Sequence, residues 1–179
     1  MTACYINGKY KTLSKSSISV TDRGFQFSDG VYEVIAIYNN KFVDENLHLN
    51  RLRTSLNKLN IKINLSSKQI QNISHKIKKL NKISNGIIYL QVTRGDQHPR
   101  DHKYKKIMKP NIVIYSIKKD FKKLDQLALK GVKTSLYPDI RWLRSDIKSI
   151  SLLGNVMAAN HAKKNNSHEA ILFDHKNNI

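Results

Sequence analysis

Lys148 is an amine in an unusual place. It lies in "DIRWLRSDIKSISLLGN" (139–155), between Ile147 and Ile150 and just ahead of a helix. Apolar neighbours take solvation from an ammonium and favour the neutral amine. A neutral amine is a nucleophile toward carbonyls and can form a Schiff base with them. The bland alternative is an ordinary solvated lysine. A second cluster, "RGDQHPRDH" (94–102), puts Arg94, His98, Arg100 and His102 into one loop after a strand. The guanidinium fork matches a carboxylate, and histidine adds a donor that is partly charged near neutral pH. Its alternative is a solvated basic loop. In a third cluster, "DRGFQFSDGVYEV" (22–34), Gly24 and Gly30 bracket aromatics and acids at a turn before a strand. With no HExxH and no cysteine pair, no metal site is expected.

The surrounding pattern says what must hold these residues. Asn7-Gly8 in "YINGKY" signals a tight hairpin. "GVYEVIAIYNNKFV" (30–43) reads as strand, Asn39-Asn40 turn, strand. Residues 44–60 place Leu49, Leu52, Leu56 and Leu59 on one helical face, with acidic residues at the start to suit the helix dipole. "SSKQ" (66–69) is a capping box opening a second helix, with Ile70, Ile73, Ile77 and Leu80 inward. Residues 86–95 and 110–117 read as strands joined by a long polar loop. Residues 1–118 therefore form an α+β domain, two helices on a mainly antiparallel sheet. Residues 119–125 read as a charged connector. A second domain, 126–179, then holds a strand (131–140), Lys148, a helix (151–165) with Leu152, Val156 and Ala159 on one side, and a strand (169–174). "FDHKNNI" suggests a turn around Asn177-Asn178 and a further strand of one residue, so this domain reads as cut short.

The totals bound the function. The chain has 179 residues, 40% of them apolar, and a net charge of +19. Such charge invites nucleic acid. However, the lysines are scattered, accompany many Asn and Ile residues of AT-rich codons, and lack an Arg-rich helix or zinc spacing. Specific nucleic-acid binding is not expected, while weak attraction to polyanions at low salt is. No apolar run is long enough to span a membrane. The start lacks the order of a signal peptide, and the single cysteine, Cys4, excludes an internal disulfide. A cytoplasmic protein is the expectation.

"DRGFQFSDGVYEV", "HLNRL", "YLQVTRG…PRDH", "DIRWLRSDIKSISLLGNV" and "HEAILFD" follow one another through nearly the whole chain. In that order they resemble the motifs of the class IV pyridoxal-phosphate aminotransferases, and most closely the D-amino acid branch. The resemblance implies a two-domain fold of PLP fold type IV and pyridoxal 5'-phosphate as cofactor. It further implies a homodimer whose sites draw on both subunits, with an amino acid and a 2-oxo acid as substrates. It makes Lys148 the residue that carries the cofactor and moves the α-proton. It makes Arg51 of "HLNRL" the contact to the cofactor phosphate. Tyr32, Arg100 and His102 become the trap for the substrate carboxylate. The "PRDH" motif separates the D-amino acid branch from branched-chain aminotransferases and aminodeoxychorismate lyase, the neighbouring chemistries. Ser145 and Gly154 stand where relatives often carry Cys and Pro.

The sequence also departs from the family. The later motif whose glutamate pairs with the pyridine nitrogen is absent, and Glu169 does not replace it. A partial sequence, a truncated gene product, or a second polypeptide supplying the rest would each account for this. A non-catalytic remnant, or a basic protein with a polyanion partner, is the alternative outside enzymology.

Overall fold

Asn7 and Gly8 both take positive φ, the conformation that folds two strands back with matching twist. The result is the hairpin of β1 (Ala3–Ile6) and β2 (Lys9–Thr12). The same device recurs at Asn39 and Asn40, between β3 (Gly30–Tyr38) and β4 (Lys41–Phe42). A short helix, α1 (Arg23–Phe27), precedes β3 and is capped by Asp22, whose carboxylate accepts the Phe25 N–H. With β5 (Gly86–Thr93) and β6 (Asn111–Lys118) the strands form one antiparallel sheet, in the order β2-β1-β6-β5-β3-β4. This computed structural model describes residues 2–176 and 178–179.

Two helices cover one face of the sheet. In α2 (Glu45–Lys58) Leu49, Leu52 and Leu56 are buried. In α3 (Ser67–Leu80) Ile70, Ile73 and Ile77 are buried, and the Ser66–Gln69 capping box is complete in both directions. Leu80, expected on the inner face, is exposed because it is the last residue of its helix. Alternate residues of β3 (Val31, Glu33, Ile35 and Ile37) face the same layer, as the two-residue period of a strand requires.

The chain divides into two compact units. One comprises Met1–Lys119 with Asp146–Ile150, and the other Asp120–Ser145 with Ser151–Ile179. Two expectations are corrected here. The connector at 119–125 is largely helix, since α4 (Phe121–Lys130) starts on Asp120, whose carboxylate accepts the Lys123 N–H. Lys148, expected within the second domain, belongs to a segment packed on the first unit. Ile147 beside it is buried in that unit's core.

In the second unit β7 (Thr134–Pro138) pairs in parallel with β8 (Glu169–Phe173), and α5 (Leu153–Lys164) packs on both strands. The buried residues of α5 are Ala158 and Ala162; Val156 and Ala159, expected inward, are exposed. Asn177, part of the expected turn at 177–178, lies outside the described residues.

Candidate active site

The position of Lys148 follows from the edge of a strand. β4 pairs only with the far end of β3, at Ile37 and Tyr38, so the near end of β3 offers unpaired backbone groups. Residues 147–150 take them. The Tyr32 N–H donates to the Lys148 carbonyl (3.0 Å), the Ile150 N–H donates to the Gly30 carbonyl (3.1 Å), and Val31 bridges Ser149 antiparallel. Gly30 permits this approach, because a Cβ there would sit 2.6 Å from the Val92 carbonyl oxygen and 3.1 Å from the Ile150 side chain. On the other side the Lys148 N–H donates to Ser55 Oγ of α2 (3.1 Å). Upstream, Lys58 Nζ donates to Asp146 Oδ2 (2.9 Å). The lysine is thus held by its backbone. Its Nζ lies 4.2 Å from the centre of the Tyr32 ring. Among the described residues Nζ makes no hydrogen bond or ion pair.

Arg51 lies one helical turn before Ser55, so it shares the face of α2 that meets Lys148. Arg51 Nε and Nη2 donate to Glu33 (2.7 and 2.8 Å), and His48 Nδ1 lies 2.9 Å from the same carboxylate. Glu33 is fully buried, and a buried carboxylate persists only with such partners. The bond to Glu33 raises the Arg51 pKa above its ordinary value, against some desolvation. Arg51 Nη1 has no partner among the described residues, and the side chain is half exposed. Lys148 and Arg51 therefore offer an amine and an open cationic edge, groups of the types that could hold an aldehyde and a phosphate.

Tyr32 heads a row of rings across the sheet. Tyr89 stacks at 6.0 Å from it and Tyr115 follows at 5.1 Å. Tyr89 donates to Gln91 Oε1 (2.6 Å). Burial, then the neighbouring Tyr115 and Tyr32, push its phenol up to about 12.

The structure brings Arg100 and His102 together on another ring. The Arg100 guanidinium lies 4.2 Å above the centre of Phe27, and the His102 ring 5.1 Å from it. Both side chains belong to exposed residues. No hydrogen bond or ring contact joins them to Tyr32 among the described residues. Arg94, grouped with them by sequence, is buried instead and donates through Nε and Nη2 to Asp29 (2.7 and 2.9 Å). Arg23 shares Asp29. Burial opposes ionisation of Asp29, but the bonds from Arg94 and Arg23 outweigh it and hold the carboxyl below its usual range. Sequence reasoning missed Glu33, His48, Ser55 and Arg23. The available signal was Glu33, an acid at an inward position of an otherwise apolar strand.

A lysine pinned to a sheet edge thus lies beside a helix-borne arginine on a mixed α/β scaffold. Residues 30–179 match the family described as Amino-transferase class IV. The chain belongs to that family. It is 37% identical over 167 residues to the D-alanine aminotransferase of Listeria monocytogenes serotype 4b (strain F2365), covering 93% of this chain and 58% of that protein. The chain thus spans less than two thirds of that relative. Two solved structures share the fold at 14% identity. One is the branched-chain amino acid aminotransferase of Escherichia coli, with a TM-score of 0.84 over 97% of this chain and 60% of that one. The other is a hypothetical aminotransferase from Mycobacterium tuberculosis in its PLP-bound form, with a TM-score of 0.79 over 97% of this chain and 62% of that one.

Proposed function

We propose that the protein performs pyridoxal-phosphate-dependent transamination, moving an amino group between a D-amino acid such as D-alanine and a 2-oxo acid such as 2-oxoglutarate. The carrying observation is Lys148, fixed by its backbone to β3 and α2 with its Nζ unbonded over Tyr32. The D-amino acid branch is supported by 37% identity over 167 residues to a D-alanine aminotransferase.

When bound, pyridoxal phosphate supplies the electron sink that lets an α-hydrogen leave as a proton. Lys148 Nζ would hold the cofactor at its aldehyde and, once released, act as the base that takes and returns the α-proton. Its backbone bonds restrict where Nζ can travel, which keeps the amine near the reacting carbon. Arg51 would meet the phosphate with Nη1, while Glu33 fixes the other edge of the guanidinium. Tyr32, Arg100 and His102 would gather the substrate carboxylate with a phenol, a planar cation and an imidazole. The reading includes a homodimer and a cytoplasmic location; among the described residues no helix is long and apolar enough to cross a membrane.

The test is an absorbance spectrum with pyridoxal phosphate, borohydride fixation and peptide mass mapping, followed by turnover with D- and L-alanine. Fixation on Lys148 and turnover of the D-donor are expected. Lys148→Ala should abolish site-specific fixation and lower turnover by about 10³-fold, within the range of a lost general base. Label scattered over surface lysines, or unchanged turnover in the variant, overturns the reading. Preference for the L-donor moves it to the branched-chain chemistry.

A further inference from the structure

We propose that Arg23 is a positioning residue that sets the backbone of the loop carrying Arg100 and His102. The inference rests on the carboxylate-binding role given to that loop above. Arg23 is 3% exposed and opens α1, with its own N–H donating to the Gly95 carbonyl (2.9 Å). All three of its guanidinium nitrogens are engaged. Nε donates to Asp29 Oδ2 (2.8 Å), Nη1 to the Asp101 carbonyl (2.5 Å) and Nη2 to the His102 carbonyl (2.8 Å).

That division of donors is informative. Asp29 is already paired with Arg94, so an arginine serving only the charge of Asp29 would be redundant. The terminal nitrogens of Arg23 instead hold two successive carbonyls. A held carbonyl fixes its peptide plane, because the peptide unit is rigid. Two held planes around His102 set the direction of its Cα–Cβ bond and constrain the chain that leads from Arg100. Phe27, four residues along α1, then receives both side chains on one ring, and the Arg23 guanidinium itself lies 4.8 Å from that ring's centre. One planar fork thus ties the start of α1 to the loop. Lysine keeps the charge but has a single nitrogen and cannot reproduce the fork.

The experiment compares Arg23→Lys, Arg23→Gln, Arg94→Lys and Arg100→Ala with the unmodified chain. Limited trypsin cleavage after Arg100 and Lys103 is followed by mass spectrometry, circular-dichroism melts check folding, and KM and kcat are read for D-alanine. In a folded Arg23→Lys, cleavage in the loop should rise about tenfold, with KM raised by about as much and kcat changed less, the split expected when substrate binding is lost. Arg94→Lys shares Asp29 and bonds to neither loop carbonyl; its own contact with the loop is to the Tyr104 ring (3.8 Å), beyond Arg100, so cleavage after Arg100 should stay near the unmodified rate. Unchanged cleavage in folded Arg23→Lys, or equal acceleration in Arg94→Lys, overturns the proposal. If Arg23→Gln does not fold, Arg23→Lys decides. An unchanged KM in Arg100→Ala removes the carboxylate role of the loop, while the cleavage rates still decide whether Arg23 holds it.

Discussion

The two units bury their apolar residues to different depths. In the first, Ile35, Leu52, Ile70, Ile88 and Ile114 are sealed between the sheet and its helices. In the second, Leu129, Leu136 and Leu143 stand exposed, Leu143 almost completely at 96%. Both units carry apolar residues at strand and helix periods, so patterning is not what separates them. Layers are. Six strands with α2 and α3 close a two-layer core. Among the described residues the second unit has one pair of parallel strands with α5 packed on them, and parallel strands ordinarily need cover on both faces. α4 has a marked apolar face but buries no residue. A periodic pattern says which side of an element seeks burial; only an opposing layer supplies it.

The largest effect should come from breaking the closed core. Leu52→Ala removes a side chain with no exposure and should cost about 3 kcal/mol through lost transfer energy and the cavity left behind. A shift in the urea midpoint measures it. Acidification sharpens the comparison through two carboxylates. Asp29 is held below its usual range, so its contribution is complete above the unfolded value of about 4 and fades as pH falls through its lower folded value. The midpoints of Asp29→Asn and the unmodified chain should therefore converge on acidification. In the second unit Asp139 is held at about 2 by the side-chain and backbone bonds of Arg141. That partner is two residues away and can pair without the fold, so Asp139→Asn should leave the midpoint unchanged across the same pH series.

Smaller effects follow. Ser66→Ala opens the capping box of α3 and should cost about 1 kcal/mol in the same assay. Leu143→Ala should change stability by less than about 0.5 kcal/mol, as for exposed positions generally. A larger loss there would mean that the exposed face of the second unit is covered in solution.

Much of the first unit was legible because its signals are local. Asn7-Gly8, Asn39-Asn40, the Ser66–Gln69 box and the leucine spacing of α2 each act within a few residues, and each formed as the sequence implied. α4 was hidden by its lysines, since charge masked the spacing of Phe121, Leu124 and Leu127. Lys148 could be singled out by its neighbours, but its anchor could not: Ser55 is 93 residues away. Arg94 and Arg100 looked alike in one loop, yet one is buried against Asp29 and the other lies exposed on Phe27.

What the sequence determined by itself was therefore the turns, the caps, the faces of the main helices and the residue types able to do chemistry. Those depend on backbone preference and short periods, which a few neighbouring residues encode. The tertiary structure decided which charges are buried and with whom. Glu33 meets Arg51 and His48, Asp29 meets Arg23 and Arg94, and Lys148 completes the edge of β3. Desolvation of a charge or a strand edge must be offset by a partner, and those partners arrive only when distant segments close on one another.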